Sequence, residues 1–118
     1  EYVGDESNAA PPLEQVDLRR EEAIAIFERI LRNVGLWLDL DRIHGDLSAY
    51  NILYWNGAIS IIDFPQAIDS RFNPSARDLL ERDLTNVCSY FERYGVSSDP
   101  GRIARRMWSA YRHGASLM

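Results

Sequence analysis

Apolar residues recur along the chain with more than one period, and the changes of period divide it into elements. From Asp17 onward, Leu18, Ala23, Ile26, Phe27, Ile30, Leu31, Val34 and Leu38 fall mostly three, four or five residues apart. Arg19, Arg20, Glu21, Glu22, Glu28, Arg29 and Arg32 fill positions between them. This spacing predicts one long amphipathic helix over 17–39, with Asp17 as its N-cap. Arg42 to Tyr50 loses the period and reads as a polar loop around Gly45. Asn51–Tyr54 and Ala58–Ile62 are β-prone runs separated by Asn56-Gly57, the strongest short hairpin signal. A second loop follows, from Asp63 to Asn73. Asn73-Pro74 and Asp99-Pro100 each pair a capping residue with proline at a first helical position, predicting helices over 74–95 and 100–113. Leu79, Leu80, Leu84, Val87, Cys88 and Phe91 supply the first with an apolar face, and Ile103, Met107 and Tyr111 the second.

The expected fold is therefore mostly α with a small β-hairpin, an α+β domain. Ahead of it, Glu1-Tyr2-Val3 reads as a short strand-like stub and Gly4 to Pro12 as a loop, so that 1–12 forms a linker. A domain that opens in mid-strand leads us to expect further chain upstream.

At 118 residues with 46% hydrophobic content, the chain suits one domain with its own core. No apolar run approaches the ~20 residues of a membrane span, and no signal-peptide pattern opens it, so no membrane contact is expected. Cys88 stands alone, which excludes an internal disulfide and a cysteine zinc site; a reducing, cytoplasmic setting is the expectation. A net charge of −5 argues against a general nucleic-acid coat. All 13 basic residues are arginine, so chemistry that needs a lysine is excluded for this chain alone. Arg102, Arg105, Arg106 and Arg112 read as a solvated helix face rather than as an RNA contact.

The stretch Ile43-His44-Gly45-Asp46-Leu47-Ser48-Ala49-Tyr50-Asn51, followed after the hairpin by Ile61-Ile62-Asp63-Phe64, carries the chemistry. It fits H-x-D-x-x-x-x-N, strand, turn, strand, and then an aspartate opening a loop, the pattern of kinase-like phosphotransferases. In that pattern Asp46 accepts or orients the proton of an attacking hydroxyl. Asn51 brings a neutral amide oxygen to a magnesium ion, and the tight hairpin returns the chain so that Asp63 reaches the same ion. A lone His-Gly-Asp is more often a structural loop, but the three residues together in this context point to chemistry. His44 is read as packing the loop.

On these residues, and on Tyr54, Phe64-Pro65-Gln66, the run Arg82-Asp83-Leu84-Thr85-Asn86-Val87, Tyr90-Phe91 and Tyr94-Gly95, the sequence resembles the RIO-type atypical serine/threonine protein kinases over nearly its whole length. The resemblance implies the large, C-terminal lobe of a kinase-like fold, beginning at the hinge. There, backbone groups of Glu1 and Val3 would meet the adenine of ATP. It further implies Asp46 as catalytic aspartate, Asn51 and Asp63 as ligands of Mg2+ or Mn2+, and Ser48 and Asn51 at the nucleotide. Asp63 would be open to phosphorylation during ATP hydrolysis, and Asp83 would hydrogen-bond the catalytic-loop backbone. The segment after Asp63 is too short for a peptide-docking region, so autophosphorylation or ATPase switching is more natural than ordinary peptide substrates. Family partners would extend to the pre-ribosomal particle.

The sequence has neither a G-x-G-x-x-G loop nor a lysine, both expected of a small lobe. The expectation is a large lobe without its small lobe, inactive alone, with an exposed cleft through which two copies would form a homodimer. Two rivals stay open. Small-molecule phosphotransferases of the aminoglycoside or choline type also use His-Gly-Asp and Ile-Asp-Phe, and a pseudokinase lobe would serve as a binding module.

Overall fold

The computed structural model describes residues 10–61 and 68–112. Three helices carry the core: α1 (Arg20–Asp39), α2 (Ala76–Phe91) and α3 (Pro100–Arg112). Four short strands complete it: β1 (Arg42–Ile43), β2 (Ile52–Trp55), β3 (Ala58–Ile61) and β4 (Ile68–Asp69). They form two antiparallel pairs, β1 with β4 and β2 with β3. The architecture is the expected one, mostly helical with a small β component.

Ala23, Ile26, Phe27, Ile30, Val34 and Leu38 of α1 are buried, as the period required, and share one core with Leu80, Leu84, Val87 and Phe91 of α2. The rings of Phe27 and Phe91 lie 5.3 Å apart and tilted, a favourable aromatic geometry. Ala104 and Met107 of α3 close the same core. No helix among the described residues is long and apolar enough to cross a membrane.

The boundaries differ from expectation at instructive places. Helix α1 starts at Arg20, three residues after the expected cap Asp17, because the Glu22 carboxylate accepts the Arg19 N–H at 2.9 Å and fixes the first turn there. Leu13–Gln15 instead forms a short 3-10 turn that the pattern did not signal. Helix α2 starts at Ala76 rather than residue 74: the Asn73 side chain accepts the Ser75 N–H at 2.8 Å, holding the chain in a turn ahead of the helix. It ends at Phe91, a 3-10 turn spans Glu92–Tyr94, and Gly95 at φ 78° stops the chain in the left-handed conformation glycine favours. Asp99 caps α3 as expected, its carboxylate accepting the Arg102 N–H at 3.1 Å. Residue 113, the expected last position of that helix, lies outside the described residues.

Hairpin β2–β3 pairs Ile52 with Ile61 and Trp55 with Ala58. Asn56 and Gly57 both take positive φ, 49° and 85°, as a two-residue turn of the twist-matching type requires. Asn51 was expected in the strand, but it stays in the loop, its N–H given to the Ser48 carbonyl. Arg42 and Ile43, expected as loop, pair with Asp69 and Ile68, and the Arg42–Asp69 ion pair at 3.3 Å reinforces this ladder.

Residues 10–18 lie across the molecule and bind its parts together. The Pro11 carbonyl accepts the Tyr54 N–H at 3.0 Å, and the Glu14 N–H reaches the Ala49 carbonyl at 3.1 Å. Tyr90 donates its hydroxyl to the buried Leu13 carbonyl at 2.7 Å, and Tyr94 to that of Val16 at 3.0 Å. Burial, and then the neighbouring Tyr94 hydroxyl, push the Tyr90 hydroxyl well above its ordinary pKa, so it remains a donor. This segment therefore anchors to β2, to the loop before β2 and to α2 at once.

Candidate active site

The end of β1 and the loop from it to β2 send some side chains inward and others outward. Ile43, His44, Leu47, Ala49 and Asn51 are buried, while Asp46 turns out and keeps half its side-chain surface, 50%, exposed. Gly45 provides the reversal at φ 88°, a conformation open to glycine and strained for other residues.

With no ladder to occupy it, the loop backbone must find hydrogen-bond partners among side chains. Asp83 of α2, only 1% exposed, supplies two: one carboxylate oxygen accepts the Gly45 N–H at 2.8 Å and the other the Leu47 N–H at 3.0 Å. One helical turn further on, Asn86 donates its amide to the Leu47 carbonyl at 3.1 Å. Residues on both sides of Asp46 are thus tied to one helix. Burial raises the Asp83 pKa above its ordinary value, with the Leu47 and Gly45 N–H groups and the nearby His44 and Arg82 working in the opposite direction.

His44 accepts the Asp46 N–H through Nδ1 at 3.2 Å. Its ring lies 6.2 Å from that of Trp37. Asn51 works inside the loop as well: its Nδ2 donates to the Asp46 carbonyl at 2.7 Å, and its Oδ1 accepts the Ser48 N–H at 2.9 Å. The Ser48 hydroxyl oxygen accepts the Tyr50 N–H at 3.2 Å.

Of the expected site residues, Asp46, Ser48 and Asn51 share this one loop, with His44 behind it and Asp83 beneath it. Glu1, Val3 and Asp63 lie outside the described residues. Among the described residues, no group of three or more His, Cys, Asp or Glu side chains is placed to hold a metal. Of the two lone pairs on the Asn51 carbonyl, the Ser48 N–H takes one.

Arg82 and Asn86 are not among the expected site residues, yet both meet the loop. Arg82 places Nη2 3.5 Å from the Asp46 carboxylate, and Asn86 grips the loop. Both belong to the outward face of the helix whose inward face carries Asp83, so the spacing of 82, 83 and 86 was the available signal.

A helical core under a loop that exposes one aspartate, anchored by a second, buried aspartate, places the molecule in the kinase-like class of folds. The comparisons with known proteins narrow that class. The RIO domain matches residues 1–103, and the chain belongs to this family. It is 32% identical over 102 residues to the RIO-type serine/threonine-protein kinase Rio1 of Thermoplasma acidophilum, covering 86% of this chain and 52% of that protein. It is 38% identical over 87 residues to Rio2 of Methanocaldococcus jannaschii, covering 73% of this chain and 32% of that protein. Among solved structures it is similar to the Rio2 kinase–ADP/Mg2+–phosphoaspartate complex from Chaetomium thermophilum. The TM-score is 0.70 at 25% identity, over 85% of this chain and 33% of that one. The chain thus spans about half the length of the first relative and about a third of the second.

Proposed function

We propose that this chain is the large-lobe part of an ATP-dependent RIO-type serine/threonine kinase or ATPase, with Asp46 as its catalytic aspartate. The observation that carries the reading is the way Asp46 is held. Its carbonyl is fixed by Asn51, its N–H by His44, and its neighbours on both sides by Asp83, while its own carboxylate faces solvent. Phosphoryl transfer asks mainly for positioning, and this loop positions one carboxylate with fixed atoms all around it.

In the reaction an acceptor oxygen attacks the γ-phosphorus of ATP as the bond from that phosphorus to the ADP oxygen breaks. Asp46 orients the attacking hydroxyl and takes its proton. Asn51 and Asp63 would hold a Mg2+, which when bound would offset negative charge on the phosphate oxygens. Ser48 would contact the nucleotide, and backbone groups of Glu1 and Val3 the adenine. The phosphoaspartate in the Chaetomium thermophilum complex supports Asp63 as a second acceptor, in which case its carboxylate oxygen makes the attack.

MgATP binding by calorimetry and ATP turnover test this reading, on the chain and on the longest polypeptide that carries it. Asp46→Asn should lower turnover by about 10²–10⁴-fold with nucleotide binding kept, and Asp63→Ala should weaken Mg2+-dependent binding. Binding indifferent to Asp63→Ala, with no turnover in any form, would instead make the molecule a binding module.

A further inference from the structure

We propose that Arg82 is the cation that meets the phosphoryl group in transit and bridges it to Asp46. The inference rests on the reading of Asp46 given above. A carboxylate acting on an attacking hydroxyl stands beside a phosphoryl group whose negative charge is spread over three oxygens. Two anions at that range repel unless a cation lies between them. The loop itself offers no exposed one. It contains no arginine from residue 43 to residue 51, the chain has no lysine, and His44 is buried behind the loop.

Arg82 comes from outside the loop. It is the one cation that the described residues pair with Asp46, at 3.5 Å, and its side chain remains 58% exposed. A pair this exposed adds little to stability, so holding the fold together does not account for it. A guanidinium carries five N–H donors in a planar fork. The carboxylate engages one nitrogen, which leaves the others for phosphoryl oxygens in the bidentate geometry arginine favours. The base of the side chain is rigid as well. Asp83, the next residue, grips the backbone on both sides of Asp46, and Asn86 grips Leu47. The helix thus fixes Asp46 and the base of the Arg82 side chain to one frame. On its far side Arg82 also borders an open groove along α2, with Asp78, Glu81, Thr85 and Asn86.

The test combines turnover with a transition-state mimic, on the longest polypeptide that carries the chain. Arg82→Ala should lower kcat for ATP about 10²-fold and leave KM within about threefold, with Arg82→Lys recovering part of the loss. In calorimetry, MgADP with aluminium fluoride should bind the parent protein more tightly than MgADP alone. Arg82→Ala should remove that gain and leave MgADP binding unchanged. The proposal is overturned if Arg82→Ala turns over at the parent rate while Asp46→Asn does not. It is equally overturned if Ala and Lys variants lose activity together with their thermal stability, which marks a structural role. A parent protein that neither binds MgADP nor turns over ATP refutes both this proposal and the reading beneath it. A parent whose turnover survives Asp46→Asn does the same.

Discussion

From Ile43 to Asn51 the backbone N–H groups of Gly45, Leu47 and Ser48 are taken by side-chain oxygens, those of Asp83 and Asn51. In the hairpin that follows, four residue pairs from Ile52 with Ile61 to Trp55 with Ala58 answer one another along the backbone. The loop's shape therefore rests on a few polar atoms, each difficult to replace. The hairpin's shape is shared over backbone pairs that do not depend on any one polar side chain. A loop of the first kind can hold a carboxylate where chemistry needs it, free of the regular spacing a strand imposes. Its cost is sensitivity to single substitutions.

The largest effect should therefore come from Asp83. Replacing it with alanine leaves the buried Leu47 N–H and the half-buried Gly45 N–H without acceptors, each worth about 1–3 kcal/mol. We expect Asp83→Ala to lose about 3 kcal/mol of stability in urea denaturation, with turnover falling as Asp46 loses its frame. A loss below about 1 kcal/mol would mean that water or a rearranged loop satisfies those groups, and the contrast with the hairpin would collapse.

Acid titration sharpens the same contrast with opposite signs. Burial holds the Asp83 pKa above its ordinary 3.8, so the folded state keeps that proton longer than the unfolded chain does. Its contribution is fully present below 3.8 and declines as pH rises through the folded value. Asp69, in the β1–β4 ladder, is the reverse. Hydrogen bonds from the Arg71 side chain and N–H hold its carboxyl far below 3.8. Its contribution is present above 3.8 and is lost as pH falls. Stability against pH, followed by denaturation from about pH 3 to pH 6, should thus change slope in opposite directions in Asp83→Asn and Asp69→Asn. Equal slopes would show that Asp83 is not desolvated as its burial indicates.

The same contrast explains how much the sequence revealed. Helices α1, α2 and α3 were legible because a repeating period averages over many residues, and the hairpin because Asn56-Gly57 marks its turn directly. Gly95 and Asp99-Pro100 likewise announced a helix end and a helix start. The start of α1 was missed because Asp17 is a sound cap by composition, whereas the Glu22 carboxylate that sets the start acts from within the helix. The ladder of β1 with β4 has two residues on each side, too few for any period to show, and it joins segments distant in sequence. At the site, Asp46 and Asn51 stood out because their spacing lies within one loop. Arg82 did not, because its link to Asp46 crosses 36 positions and exists only once α2 has packed beneath the loop.

In the hairpin, a single substitution should cost less. Gly57 sits at φ 85° with nothing within 4 Å of where a Cβ would stand. Gly57→Ala therefore meets backbone strain alone, about 1 kcal/mol. Denaturation should show that loss, and turnover should remain at the parent rate. A drop in turnover would mean that strain at the turn reaches the loop.

The smallest effect should come from Arg29, which ties the hairpin to α1 by donating Nη1 to the Gly57 carbonyl at 2.7 Å. The contact is exposed, so water replaces it readily, and Arg29→Ala should cost about 0.5 kcal/mol. Because the ladder and the two positive-φ residues already define the turn, this tether adds no information to its shape. Amide exchange at Ala58 and Ile59 should therefore match the parent protein in the variant. Faster exchange confined to those amides would reveal that the hairpin, like the loop before it, depends on a side chain from a neighbouring helix. The two segments would then differ in degree rather than in kind.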